Sequence, residues 1–373
     1  DGIVKDKVLV NTDAPVKPVD QLPIVDIDDP QYPNYQEDTK YPPLEEFDIV
    51  DRGHNADPKK EALLGAASKI IELTPHIGTE IHGLQLNKLT DQQKDELALL
   101  VAERGVVFFR DQDINIHEQL DLGRYYGPLH IHPTTGQPKG LPEVHVVFVD
   151  DKERTTKRQE YLVGRSNADF WHSDVSYEKQ PPGLTTLKID TLPPVGGDTL
   201  WASGYRAYEK LAPPIQKLIE NLEAVHTAHD QANGSARVGG PVRREPIETA
   251  HPIVRTHPVT KRKALYVNPI FTRRIVGLTQ RESRKFNEKN FTISNSVVYD
   301  NLVISETILQ LLYDHIAGGY DFTVRFKWEK NSVAVWDNRV TVHNAIFDYT
   351  TVGRRHGLRV TPQAEKPYLE KSE

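Results

Sequence analysis

The stretch Phe170-Trp171-His172-Ser173-Asp174 is the part of the chain from which its fold can be inferred. If this stretch lies in a strand, successive side chains alternate between faces, so His172 and Asp174 point the same way. A third ligand from a distant part of the chain would complete a two-histidine, one-carboxylate triad, which suits non-haem Fe(II) with open positions. Alone the motif carries little weight, because a chain with 15 His in 373 residues contains about one His-x-Asp by chance.

The composition excludes several classes of protein. Charged residues make up 27% and hydrophobic residues 38% of the chain, as in an ordinary globular enzyme. A net charge of −7 argues against a nucleic-acid binder and gives no signal for a membrane surface. The absence of Cys excludes disulfides, thiolate metal sites and cysteine nucleophiles, and it leads us to expect a cytoplasmic protein. The absence of Met, even at position 1, predicts a processed or trimmed chain.

The organisation of the chain suggests one arm and one domain. Residues 1–60 are rich in Pro and Asp and predict an extended arm on the core or on a neighbouring subunit, with disorder as the alternative. Residues 61–373 are then a single domain. Within it, 231–246 predicts a long loop or lid, with a solvated loop as the alternative, and the Asn-rich 284–304 predicts a surface insertion.

Local patterns predict a mainly β fold with flanking helices. Thr90 begins a capping box for a helix that ends at Gly105, and the apolar run Val106–Phe109 follows as a buried strand. Further short strands with turn signals between them favour a β-sandwich or barrel over a doubly wound fold. They are predicted at Leu184–Ile189, Ile253–Thr256, Ala264–Asn268, Phe322–Trp328, Ser332–Trp336 and around Leu358–Val360.

His343 is the candidate third metal ligand. It lies far beyond His172 in sequence, and a jelly-roll core would bring two such distant segments together. The alternative is a packed or hydrogen-bonded histidine. Arg355 and Arg359 follow, and their spacing of four places both on one face of a strand, where a planar guanidinium can bind a carboxylate or sulfonate through two hydrogen bonds. The alternative is a pair of surface arginines.

Several motifs in the same order resemble the taurine dioxygenase family of Fe(II)/2-oxoglutarate oxygenases, and most of all its fungal sulfonate dioxygenase branch. The resemblance extends from about Leu73 to Pro367. The motifs that carry it are Val106-Val-Phe-Phe-Arg-Asp-Gln112, Gly127-Pro-Leu-His-Ile-His-Pro133, Trp171-His-Ser-Asp-Val175, Gly196-Gly-Asp-Thr-Leu-Trp201, Tyr266-Val-Asn-Pro-Ile-Phe271, Trp336-Asp-Asn-Arg-Val-Thr-Val-His343 and Arg355-His-Gly-Leu-Arg359. This resemblance implies a double-stranded β-helix, or jelly-roll, core.

The resemblance also implies which residues bind the metal and the cosubstrate. His172, Asp174 and His343 are expected to bind Fe(II) as the catalytic triad. Thr199 is expected to hydrogen-bond a carboxylate of 2-oxoglutarate near the metal, and Arg355 to bind the distal carboxylate of that cosubstrate.

For the substrate, the resemblance implies an anion site. Arg359 is expected to pair with the sulfonate, His132 to donate a second hydrogen bond to it, and Phe271 to pack on its carbon chain. Two departures from the family pattern leave the substrate open. Thr135 stands where the bacterial enzyme has Tyr, and Asn167 lies one position away from the expected Asn.

The reaction implied is hydroxylation of the carbon next to the sulfonate of a taurine-like alkylsulfonate, with O2 and 2-oxoglutarate consumed. Sulfite, an aldehyde, succinate and CO2 are the products. The same chemistry on another anionic or heterocyclic substrate, such as a sulfate ester, an aryloxyacetate or a purine, stays an alternative, as does a non-catalytic metal-binding jelly roll. We expect a small anionic substrate, no nucleic-acid or membrane partner, and a homo-oligomer.

Overall fold

The computed structural model describes residues 39–149, 166–277, 300–349 and 354–370. Its strands are β1 (Lys69–Glu72), β2 (Thr79–His82), β3 (Val106–Phe109), β4 (Val144–Val149), β5 (Leu184–Thr191), β6 (Thr199–Ser203), β7 (Glu223–Thr227), β8 (Glu248–Pro252), β9 (Val254–Thr256), β10 (Lys263–Leu265), β11 (Thr272–Ile275), β12 (Thr323–Phe326), β13 (Ser332–Asp337), β14 (Thr341–Ala345) and β15 (Arg355–Val360). Its α-helices are α1 (Glu61–Leu64), α2 (Asp91–Arg104), α3 (Ile116–Tyr126), α4 (Gly204–Glu209), α5 (Pro213–Ile219), α6 (His229–Arg237) and α7 (Asp300–Ala317).

Two sheets form the core. The larger has seven strands in the order β1-β2-β3-β13-β5-β15-β4, and the smaller has three in the order β12-β6-β14. Strands that are distant in sequence lie side by side in both, which is the crossed connectivity of a jelly roll, as predicted. Two further small sheets, β11-β7-β8 and β10-β9, extend the structure beyond this core.

Local sequence explains the first elements well. The Thr90 side chain accepts a hydrogen bond from the Gln93 N–H, and the Gln93 side chain returns one to the Thr90 N–H, so α2 begins with the predicted capping box. The helix ends at Gly105, whose φ of +73° suits glycine. Strand β3 follows at once and is buried along its whole length. These predictions are confirmed.

Aromatic side chains fill the space between the two main sheets. Phe108 of β3 stacks on Phe326 of β12 with ring centroids 3.9 Å apart. Trp201 of β6 lies edge-on to Phe108 at 5.2 Å and to Trp336 of β13 at 5.8 Å. This apolar packing fixes the distance between the sheets, and it therefore fixes the positions of the side chains that project from both sheets at one end of the core.

Strand β15 has two chemically different faces. Leu358 and Val360 pack with Ile116 of α3 on the outer side of the large sheet. Because side chains alternate along a strand, Arg355 and Arg359 share the opposite, inner face. The predicted placement of both arginines on one strand face is confirmed, and both are buried rather than on the surface.

The described part of the N-terminal segment lies on the core of its own chain. Residues 39–50 contain no helix or strand. The Tyr41 N–H donates to the Arg243 carbonyl oxygen at 2.7 Å, and Phe47 exchanges hydrogen bonds with the Gln180 side chain. Residues 1–38 of the predicted arm lie outside the described residues.

The structure corrects one prediction about loops and describes only a part of the second. The predicted loop at 231–246 begins as helix α6, because Ala232 packs into the core and the Asp230 side chain binds Arg273. Of the predicted insertion at 284–304, residues 284–299 lie outside the described residues, and 300–304 belong to α7.

No helix among the described residues is both long enough and apolar enough to cross a membrane.

Candidate metal and cosubstrate site

His172 lies beside His343 through a backbone pairing of two isolated residues. The His172 N–H donates to the His343 carbonyl oxygen at 3.0 Å, and the His343 N–H donates to that of His172 at 2.7 Å. The predicted strand at 170–174 is wrong, since the chain enters a turn at Asp174 directly after this bridge. The His172 and Asp174 side chains are nevertheless close together, because the turn directs the carboxylate back toward the imidazoles of His172 and His343.

The three predicted metal ligands converge. The Asp174 Oδ1 atom is 3.7 Å from His172 Nε2 and 3.6 Å from His343 Nε2. One ligand atom from each of the three residues lies within 4.8 Å of the others. His172 Nδ1 lies 2.8 Å from the Phe170 carbonyl oxygen, an acceptor, so Nδ1 carries the proton and the Nε2 lone pair is available to a metal.

The charge state of the triad also suits a cation. Burial lowers the pKa of His343 to about 3, and it lowers the pKa of His172 as well, so both imidazoles are neutral near pH 7. Burial alone would raise the pKa of Asp174, but the positive charge of Arg359, together with smaller contributions from His343 and His172, outweighs it and the pKa falls to about 2. Two neutral imidazoles and one carboxylate are the donor set that suits Fe(II).

The Gly196-Gly-Asp-Thr199 turn brings a hydroxyl and a guanidinium toward the same end of the core. Thr199 of β6 pairs with Ala345 of β14, two residues beyond His343. Trp328 Nε1 donates to Thr199 Oγ1 at 3.0 Å, so the hydroxyl hydrogen of Thr199 stays available to a ligand. Gly197 has a φ of +79°, and a Cβ there would lie 3.4 Å from the Arg355 Nε atom. Arg355 is buried beside this turn.

Arg359 lies against the metal ligands. Its Nη1 atom donates to Asp174 Oδ1 at 2.5 Å, a contact that was not among the expectations from the family resemblance. Its Nε atom is buried and has no hydrogen-bond partner among the described residues. A contact with Asp174 through one nitrogen therefore leaves donor capacity for an anion beside the triad.

His132 and Phe271 lie close to other residues of the candidate site, and their substrate roles stay predictions. The Thr134 N–H donates to His132 Nδ1 at 3.2 Å, so the proton of the neutral ring is on Nε2 and that atom is a donor. Phe271 is buried, with its ring centroid 6.3 Å from that of His172. The Asn167 side chain, in contrast, is exposed, and it is the Asn167 carbonyl oxygen that accepts a hydrogen bond, from Asn344. A substrate role for Asn167 stays a prediction.

Arg243 and Arg244 support the wall that carries His132. Arg243 Nη1 donates to the Thr135 carbonyl oxygen at 2.6 Å, and Arg244 Nη1 contacts Glu178 Oε1 at 3.2 Å. Both arginines are buried, so the alternative of a solvated loop is wrong for this part of 231–246. Their contacts fix the backbone around His132.

Two features of the site went unnoticed in the sequence. Val175, next to the ligand Asp174, has a φ of +38°, a strained conformation for a β-branched residue that is typical of functional sites. His145 interrupts the apolar strand β4 and lies near His132, with ring centroids 4.9 Å apart. A single polar residue within Val144–Val149 was the signal that could have revealed it.

Comparison with known proteins agrees with this geometry. Residues 69–361 match the family described as taurine catabolism dioxygenase TauD, TfdA family. The alpha-ketoglutarate-dependent dioxygenase cnsP of Penicillium expansum is 43% identical over 356 residues, which cover 92% of this chain and 89% of that protein. The alpha-ketoglutarate-dependent sulfonate dioxygenase of Saccharomyces cerevisiae is 39% identical over 349 residues, 91% of this chain and 78% of that protein.

A solved structure shares the fold. A taurine dioxygenase from Burkholderia xenovorans superposes with a TM-score of 0.61 at 31% identity, covering 80% of this chain and 92% of that chain.

Proposed function

The chain belongs to the taurine catabolism dioxygenase TauD, TfdA family, and from that premise we propose that it hydroxylates the carbon next to the sulfonate of a taurine-like alkylsulfonate. Alpha-ketoglutarate, which is 2-oxoglutarate, and O2 are its cosubstrates, as the dioxygenase relatives indicate. The hydroxylated product loses sulfite and becomes an aldehyde, while 2-oxoglutarate becomes succinate and CO2.

The observation that carries the sulfonate proposal is a positively charged group set directly against the metal ligands. Arg359 contacts the ligand Asp174, and His132 presents an Nε2–H donor nearby. A guanidinium and a neutral imidazole donor together favour a small anion. The sulfonate dioxygenase named among the relatives supports the same class of substrate.

Iron and 2-oxoglutarate both fit the residues present. His172, Asp174 and His343 would hold Fe(II), because their ligand atoms converge and the His172 proton is fixed on the nitrogen that faces away. Thr199 and Arg355 would bind the two carboxylates of 2-oxoglutarate. Arg355 is buried, so its charge acts on the distal carboxylate with little solvent screening.

The iron centre, when bound, supplies the oxidation of 2-oxoglutarate by O2 and the removal of hydrogen from the substrate carbon. The chain's own residues determine which carbon is presented. Arg359 and His132 hold the anion at one end, and Phe271 packs on the adjoining carbon atoms and excludes water. Holding the anion beside the triad places the neighbouring carbon closest to the metal.

The proposal is tested by succinate formation from 2-oxoglutarate with Fe(II) and O2 across a panel of taurine, longer alkylsulfonates and the matching carboxylates. We expect sulfite and succinate in equal amounts with at least one alkylsulfonate. Uncoupled succinate formation, with no sulfite from any sulfonate, would refute the sulfonate proposal. A His172→Ala variant serves as the control for metal-independent background.

A sulfate ester is the second candidate substrate. An alpha-ketoglutarate-dependent sulfate ester dioxygenase of Pseudomonas putida is 31% identical over 322 residues, 82% of this chain and 94% of that protein. A sulfate ester presents the same three anionic oxygens, so the same donors fit it. Adding alkyl sulfates to the panel separates the two, since sulfate rather than sulfite is then released. A cytoplasmic location and a homo-oligomer stay predictions.

A further inference from the structure

His145 stands beside Arg359 on the inner face of the large sheet. In the β15–β4 pairing, Arg359 lies directly opposite His145. Directly paired residues in an antiparallel sheet project to the same face with Cβ atoms about 4.5–5.5 Å apart. The same register places Val144 and Val146 on the outer face, where both pack into the cluster that includes Ile116. The imidazole of His145 therefore projects to the side from which Arg359 reaches the metal ligands.

The environment of His145 is that of a ligand-binding group rather than a core residue. Its Nδ1 atom is buried and has no hydrogen-bond partner among the described residues. Leaving a buried polar atom without a partner costs about 1–3 kcal/mol, so such atoms need a ligand or another explanation. The side chain as a whole is only partly buried, as is that of His172, which lines the same end of the core.

Neighbouring charges support a neutral donor at this position. Burial and the positive charge of Arg359 lower the pKa of His145 well below its usual range. The ring is therefore neutral near pH 7, and it carries one N–H donor and one acceptor. The rings of His132 and His145 lie 4.9 Å apart, so both side chains border the same region of the site.

We propose that His145 is a specificity-determining residue that donates a hydrogen bond to the third oxygen of the substrate's anionic group. This inference rests on the sulfonate substrate proposed above. A sulfonate has three oxygens arranged as a tripod, and three donor side chains, Arg359, His132 and His145, match them one to one. A carboxylate has two oxygens, which Arg359 and His132 satisfy without His145. The trio thus favours a sulfonate over the carboxylate of equal chain length.

The test compares binding, without turnover, in wild type and two variants. Chain loaded with Fe(II) and 2-oxoglutarate is titrated under nitrogen by calorimetry with three matched pairs: taurine and β-alanine, ethanesulfonate and propanoate, butanesulfonate and pentanoate. His145→Phe keeps the ring shape and deletes both nitrogens, while His145→Gln keeps an N–H donor at a similar reach. The affinity for 2-oxoglutarate, measured first, reports whether each variant has kept its site.

For the sulfonate that wild type binds most tightly, we expect His145→Phe to raise the dissociation constant about 10- to 100-fold. We expect a change of less than about threefold for its carboxylate partner, and near-wild-type sulfonate binding in His145→Gln. If His145→Phe loses 2-oxoglutarate binding, His145→Leu replaces it with the same expectation.

The outcomes separate the two proposals. Wild-type sulfonate affinity in the nitrogen-free variant, with 2-oxoglutarate binding intact, would overturn the role of His145 and leave the proposed function standing. An equal loss for both members of a pair would also overturn it, because the effect would then be general to anions. If wild type binds none of the sulfonates, the proposed function fails and the role of His145 fails with it.

Discussion

Two groups of buried polar side chains each include residues of the β13–β14 segment, and they differ in how completely their hydrogen bonds are satisfied. The first, here called the Arg339 network, lies at the turn where the chain passes from β13 to β14. Its members are Asp51, His257, Asp337, Arg339 and Glu365. The second, here called the metal-side cluster, includes the next part of β14. Its members are His132, His145, His172, Asp174, His343 and Arg359.

In the Arg339 network every guanidinium nitrogen has a carboxylate partner. Arg339 Nε and Nη2 donate to Asp337 at 2.8 and 2.6 Å, and Nη1 contacts Asp51 at 2.6 Å and Glu365 at 3.0 Å. His257 Nε2 lies 3.0 Å from Asp337 Oδ2. A buried charge that is paired on all sides holds its surroundings in one arrangement, here the N-terminal segment, the turn and the C-terminal segment.

In the metal-side cluster several buried atoms lack partners among the described residues. They are Asp174 Oδ2, His343 Nδ1, His145 Nδ1 and Arg359 Nε. Buried polar groups without partners are unusual, and a group of them around one point indicates a place for a ligand. The two regions therefore differ in role: the fully paired Arg339 side chain stabilises the fold, and the metal-side cluster has unpartnered polar atoms gathered where a ligand would satisfy them.

The largest expected contrast comes from one variant in each region. Arg339→Met removes the cation that pairs with three carboxylates, of which Glu365 keeps Arg255 as a partner, and we expect it to lower the free energy of unfolding by about 3–5 kcal/mol. His172→Ala removes a proposed metal ligand, so we expect a loss of turnover of about 1,000-fold or more, with a change in unfolding free energy of only about 1 kcal/mol.

Urea unfolding and succinate formation measure the two quantities on the same preparations. Wild-type stability of Arg339→Met, or a His172→Ala chain as unstable as Arg339→Met, would contradict this expectation. Either result would mean that pairing completeness does not separate the two regions.

The next largest expected effect tests whether Arg355 binds 2-oxoglutarate rather than the organic substrate. Arg355→Ala deletes the buried charge that we propose binds 2-oxoglutarate, which should cost about 2–5 kcal/mol of binding and raise the KM for 2-oxoglutarate about 30-fold or more. The KM for the organic substrate should change little. Arg354→Ala, which removes the same charge one residue earlier, is the matched control. A larger effect on the organic substrate than on 2-oxoglutarate would show that the arginine has been assigned to the wrong ligand.

The smallest expected effect is a difference between the two regions in the pH range over which their contribution to stability is lost. Burial and the neighbouring His145 hold the pKa of His132 well below its usual range, so the folded chain excludes a proton that the unfolded chain binds below about pH 6.5. Stability should therefore fall as the pH drops below about 6.5, by up to about 1.4 kcal/mol per pH unit for this histidine. His132→Gln should flatten that part of the curve.

The Arg339 network should respond at lower pH. Burial alone would raise the pKa of Asp337, but the charge and hydrogen bonds of Arg339 and His257 together hold it below its usual range. Its stabilising contribution is present above the unfolded pKa of about 3.9 and is lost only as the pH falls below that value. Urea midpoints from pH 7 to pH 3 on metal-free protein measure both windows. An unchanged slope in His132→Gln between pH 6.5 and 4 would contradict the first.

Local patterns were enough to predict much of the fold. The capping box at Thr90 and the glycine at 105 bound α2, and the alternation along Arg355–Val360 gives β15 its two faces. These features depend on residues within a few positions of each other, which is why a single sequence reveals them. The order of strands in the sheets depends on distant pairings, and the family resemblance implied only the jelly-roll class of the core.

The proximity of His172 and Asp174 was predicted from a strand that the structure does not contain. The structure instead holds them together through the His172–His343 bridge and a turn. That bridge joins residues far apart in the chain, so no local pattern predicts it. Likewise, the sequence leaves a lid and a solvated loop open for 231–246, and only the buried partners of Arg243 and Arg244 in the 131–135 wall and at Glu178 reveal their structural role.

The central claim, that His172, Asp174 and His343 hold one Fe(II) on which 2-oxoglutarate binding depends, is tested most directly by anaerobic iron titration. We expect one Fe(II) per wild-type chain, no measurable site in His343→Ala, and binding of 2-oxoglutarate only when the iron is present. A His343→Ala chain that binds one Fe(II) with wild-type affinity would contradict the account.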